Sequence, residues 1–94
     1  MKCSSLEEVR ENIDRIDDSI IRLIAERTEF VKQAASFKRD TASVKDSYRV
    51  EAVIKKVREK AEQYGVSPDI TETVYRNMIS GLIELEMKEF NSSK

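Results

Sequence analysis

An all-α fold of three helices per chain, completed by a second copy of the chain, follows from three features of this 94-residue sequence. Gly and Pro number only two and one, while 37% of residues are charged; the chain has few places to turn and much solvated helix surface. Its apolar residues recur at steps of three and four, the period of one helix face. The first apolar stripe is also too long for a domain of this size to cover.

That stripe runs Leu6, Val9, Ile13, Ile16, Ile20, Ile24, Arg27, Val31, Ala34, Lys38 and predicts a helix from about Ser5 to Arg39. Ser4 or Ser5 caps it, and Ser5 followed by Glu8 has capping-box spacing. At about 1.5 Å per residue the helix is roughly 50 Å long. Its seam needs a partner along that whole length, which points to a homodimer. A polar linker, Asp40 to Lys45, follows. The second helix starts at Asp46 or Ser47 and runs to Tyr64, with Val50, Val53, Ile54, Val57 and Ala61 inward and Gly65 as its stop. Ser67-Pro68 reads as a cap and first-turn proline. The third helix runs from Pro68 to Phe90, and residues 1–4 and 91–94 are expected to fray from a single domain spanning 1–94.

Composition removes several functions. A net charge of −1 gives no general affinity for nucleic acid. One cysteine, Cys3, builds no intrachain disulfide framework, and the absence of His argues against a zinc site or a His-based triad. No metal or cofactor is expected. No apolar run approaches membrane length and no signal core opens the chain, so the cytoplasm is the expected location. Lys55, Lys56, Arg58, Glu59 and Lys60 read as an ordinary wet helix face, and Phe30, Phe37, Tyr48, Tyr64 and Tyr75 as packing.

Two cations break the first stripe. Arg27 and Lys38 stand 11 residues apart, hence about 20° apart around the helix and about 16 Å along it. A buried cation without an anion costs several kcal/mol. The third helix carries the opposite charge inward: its stripe is Tyr75, Met78, Leu82, Glu86, Phe90. Ionisable groups placed inward from separate helices outline a polar pocket in a bundle, wide enough across Arg27 and Lys38 for a small dicarboxylate. Arg10 lies 17 residues before Arg27, about 26 Å away on a straight helix. It cannot serve that small-molecule site in its own chain, but it can serve an antiparallel partner's. Structural alternatives exist: Arg27 paired with Glu84 or Glu86, Lys38 at the helix end reaching water, Glu86 at the stripe edge reaching water, and Arg10 and Arg49 solvated.

The runs Val9-Arg10-Glu11-Asn12-Ile13-Asp14-Arg15-Ile16-Asp17, Leu23-Ile24-Ala25-Glu26-Arg27, Phe37-Lys38 and Asp46 through Arg49 resemble the all-helical, AroQ-type chorismate mutases over nearly the whole chain. The resemblance implies an intertwined dimer of three-helix chains. It implies that Arg10 from the partner chain and Arg27 each grip a substrate carboxylate, for which the planar guanidinium fork is suited. Lys38 would donate to the ether oxygen and a carboxylate. Arg49 would hold the ring carboxylate region, Asp46 would sit near the hydroxyl, and Leu82 would line the site. Glu86 would face the ether oxygen, where many members have Gln and some Glu. The implied reaction, chorismate to prephenate, is a pericyclic rearrangement needing position and electrostatics rather than a nucleophile. Glu86 helps it only as a protonated donor; apolar surroundings favour that form and nearby cations oppose it.

Two departures point to a branch of the family. Val50 follows Arg49 where the mutases usually carry a Glu for the ring hydroxyl, and the interval from Lys38 to Arg49 is short by about one residue. Both resemble the isochorismate-pyruvate lyases of salicylate-forming pathways, as do Phe30-Val31-Lys32 and Ala34 through Lys38. The reading is therefore mutase first and lyase second, with a non-catalytic helical dimerisation module third.

Overall fold

The computed structural model describes residues 2–37 and 46–92. They form three helices: α1 over Leu6–Ala35, α2 over Ser47–Tyr64 and α3 over Pro68–Ser92. The chain divides into two compact units, residues 1–30 and 31–94. Most of α1 makes the first unit; its last turn and the α2–α3 hairpin belong to the second.

In the first unit, Ser5 Oγ accepts from Glu8 N at 3.1 Å, as the capping spacing predicts. The Glu8 carboxylate reaches one residue further back than expected, accepting from Ser4 N at 3.2 Å and Ser4 Oγ at 2.7 Å. Those hydrogen bonds hold it below the ordinary carboxylate range. Asn12 Nδ2 donates to Cys3 Sγ at 3.6 Å and to Glu8 O at 3.0 Å, so the residues before α1 are tied to its first turns.

No residue of α1 is buried. Its stripe from Val9 to Ile24 stays between 37% and 50% exposed, and Leu6 reaches 63%. The expectation of an inward stripe is not met within one chain. The helix ends at Ala35, short of the Arg39 predicted. Ser36 N and Phe37 N bond to Gln33 O and Ala34 O, three residues back, and Ser36 Oγ also donates to Gln33 O. These tighter bonds end the α-helical ladder.

The second unit is a helical hairpin. Asp46, at φ −60 and ψ 93, caps α2. At the other end Gly65 adopts the left-handed φ of 73, with Gly65 N bonding to Glu62 O and Val66 N to Ala61 O. This is the Schellman closure, and glycine accepts its backbone geometry without a Cβ penalty. Ser67 Oγ accepts from Ile70 N at 3.3 Å, and Pro68 opens α3. The helix continues through Asn91 and Ser92, beyond the Phe90 end predicted.

Ion pairs set the hairpin register. Arg58 meets Asp69 at 3.0 Å and Glu72 at 2.7 Å. Glu51, two turns earlier on α2, meets Arg76, one turn later on α3, through two bonds of 2.9 Å. Partners that rise along one helix as they fall along the other make the pair antiparallel. The core is Ile54 and Ala61, at 4% and 5% exposure, with Val50, Val53 and Val57 half-buried beside them, as the stripe predicts. Arg58, expected on the wet face, is half-buried instead, drawn to the two carboxylates across the hairpin. Of the five aromatics expected to pack, Tyr75 is half-buried, while Phe30, Phe37, Tyr48 and Tyr64 are 62–91% exposed. Helical spacing marks an apolar face without saying which chain covers it. No described helix is long and apolar enough to cross a membrane.

Candidate active site

Each unit carries part of the predicted constellation. Arg10 and Arg27 both lie on α1 in the first unit, Arg10 exposed and Arg27 half-buried. The guanidinium of Arg10 forms no ion pair among the described residues. Lys38 lies outside the described residues.

The second unit carries Asp46, Arg49, Val50, Leu82 and Glu86. Asp46 Oδ1 accepts from Arg49 N at 3.1 Å, and Asp46 O accepts from Val50 N at 3.1 Å. Arg49 and Val50 therefore sit in the first turn of α2, Arg49 exposed and Val50 half-buried. The Arg49 guanidinium forms no ion pair among the described residues. The antiparallel register set by Glu51 and Arg76 brings Leu82 to the level where α2 begins. Glu86 lies one further turn along α3 on the same face as half-buried Leu82.

Glu86 is the buried charged residue of the described chain, at 6% exposure. Its position on an otherwise apolar stripe was legible in the sequence, and the structure places it inward. Three residues on, Glu89 faces Lys32 Nζ at 3.9 Å, a half-exposed pair that holds little free energy in water.

The sequence reading missed the role of Glu51. It is the next carboxylate after Val50 and the obvious substitute for the glutamate that Val50 displaces. The structure engages it elsewhere: both its oxygens accept from Arg76, which holds its carboxyl below the usual range. Residue 51 also stands about 100° around the helix from residue 50. A carboxylate moved by one position faces a different neighbour.

The described residues thus place an exposed arginine, Arg10, on α1 in the first unit, and an exposed arginine, Arg49, on α2 and a buried carboxyl, Glu86, on α3 in the second. The chain belongs to the chorismate mutase type II family, whose model matches residues 9–87. It is 29% identical over 92 residues to an isochorismate pyruvate lyase of Pseudomonas aeruginosa, covering 98% of this chain and 91% of that protein. It is also 29% identical over 75 residues to a chorismate mutase of Methanocaldococcus jannaschii, covering 79% of this chain and 76% of that one.

Proposed function

We propose that this chain rearranges chorismate to prephenate in a homodimer whose sites draw on both subunits. The observation that carries the reading is Glu86, a carboxyl buried to 6% exposure on the helix face where this family addresses the breaking ether bond. Arg27 and the partner's Arg10 would each hold a substrate carboxylate by bidentate hydrogen bonds. Arg49 would hold the ring carboxylate region. Lys38 would donate to the ether oxygen as negative charge develops there, and protonated Glu86 would donate to the same atom. Holding the enolpyruvyl side chain over the ring supplies the remaining gain by orientation, an effect of several kcal/mol. No proton leaves the substrate and no covalent intermediate forms, so the residues needed are donors and cations, which is what the chain offers.

The dimer is part of the proposal. Val9, Ile13, Ile16, Ile20 and Ile24 form one continuous face, each at least 37% exposed, which a second copy would cover. The cytoplasm fits a substrate of primary metabolism.

A second reading rests on specific observations. Val50 offers no hydrogen bond to a ring hydroxyl, Glu51 is held by Arg76, and the lyase relative matches 98% of this chain. In that reading the same site releases pyruvate from isochorismate, with weak mutase activity beside it. One experiment tests both. Purified protein is given chorismate and isochorismate in parallel, and chorismate loss and salicylate formation are followed optically. A higher kcat/KM on chorismate supports the mutase, a higher kcat/KM on isochorismate the lyase. Turnover of neither leaves the dimerisation module as the function.

A further inference from the structure

We infer that Asp46 is a positioning residue for Arg49 rather than a contact to the substrate hydroxyl, an inference that rests on the activity proposed above. Asp46 stands immediately before α2 with extended backbone, φ −60 and ψ 93. Its carboxylate is spent on the helix: Oδ1 accepts from Arg49 N at 3.1 Å. The donor it satisfies belongs to the very residue whose guanidinium would hold the ligand.

The chemistry of the site supports this division of labour. The ligand is a dianion, and a carboxylate directed at it opposes binding unless something else holds its charge. Aimed at the backbone N–H of the third helical residue, the Asp46 carboxylate satisfies an otherwise orphaned donor and favours the positive end of the helix. One turn later Arg76 grips both oxygens of Glu51, each at 2.9 Å. Arg49 and Val50 therefore lie between two fixed points, the cap at residue 46 and the cross-helix clamp at residue 51. The Arg49 side chain itself is exposed and without an ion pair among the described residues. Its reach is set by the backbone beneath it, and Asp46 sets that backbone.

The test is a set of substitutions at Asp46 read by steady-state kinetics and by amide exchange at Arg49. Loss of a cap loosens the first turn, and because Arg49 binds substrate and transition state alike, Asp46→Ala should raise KM roughly 3- to 10-fold with kcat little changed. Serine caps as well as aspartate but is shorter, and glycine is a far better cap than alanine while carrying no side chain. Asp46→Ser should therefore rescue most of the lost kcat/KM and Asp46→Gly part of it. The Arg49 amide should exchange faster in Asp46→Ala and recover its protection in Asp46→Ser. In an Arg49→Ala background, removing Asp46 should cost nothing further, because its effect passes through Arg49. The inference is overturned if Asp46→Ser is as impaired as Asp46→Ala, if Asp46→Ala leaves KM unchanged, or if the cost persists undiminished without Arg49. A wild-type protein inactive on both chorismate and isochorismate overturns the activity reading and this role with it.

Discussion

Glu86, at 6% exposure, is proposed to face a breaking C–O bond, where a hydrogen-bond donor helps and a carboxylate would repel the developing negative charge. Glu86→Gln should therefore keep or raise kcat, because an amide donates a hydrogen bond whatever the pH, while Glu86→Ala should lower it. A Glu86→Ala protein as active as wild type would exclude the role. Val50 gives a second test at this scale. Chorismate and isochorismate differ in where the hydroxyl sits, and a site that hydrogen-bonds a hydroxyl discriminates far better than an apolar one. Val50→Glu should shift the ratio of kcat/KM values toward chorismate by about tenfold or more; an unchanged ratio shows that residue 50 does not face the hydroxyl. Glu86 was legible because it breaks an apolar stripe; Val50 keeps its stripe and stood out only against the resembled family. Arg76 was not legible. Its partner Glu51 lies 25 residues away, and only the register of the hairpin brings them together.

The helices themselves were legible where a side chain terminates them locally. Ser67-Pro68 and Gly65 announce the hairpin turn because their chemistry acts within three residues of where they stand. The end of α1 did not announce itself, since Ser36 and Phe37 switch to shorter-range bonds without a Gly or Pro to mark the place. The α2–α3 pair also carries a pH dependence of its own. Hydrogen bonds from Arg76, and for Glu72 also from Arg58, hold Glu51 and Glu72 below their ordinary value of 4.5. A carboxyl whose folded value is depressed stabilises the fold above its unfolded value, and that contribution is lost as pH falls through the folded value. The hairpin should therefore weaken below about pH 4.5. Arg76→Ala should lower Tm at neutral pH, and the gap to wild type should close on acidification and narrow in 1 M salt, where the Debye length falls to about 3 Å. A Tm difference that is the same at pH 3 and pH 7 would remove the ion pairs from the account.

The assembled molecule is where sequence and single-chain structure part company. A long apolar stripe on α1 was visible from spacing alone, yet no residue of α1 is buried among the described residues; in the proposed dimer a second copy would cover it. With Arg10 and Arg27 about 26 Å apart on one helix, each site would need both subunits. Mixed dimers of Arg10→Ala and Lys38→Ala chains, each inactive alone, should regain one working site, since one of the two sites then receives both intact groups. Confirmed subunit exchange without recovered turnover refutes the sharing. Sedimentation at micromolar concentration should find no folded species of 10.9 kDa.

The bare flank of α1 has a further consequence, for how the protein comes into being and how it is lost. In the proposed dimer this helix folds against its copy in the second chain, so the slow step of refolding becomes bimolecular, and its rate should rise with protein concentration. Between synthesis and that encounter the isoleucine face stays open to any other sticky surface. For such a chain dilution is itself a denaturant: Tm should drop as the sample is thinned at constant pH and salt.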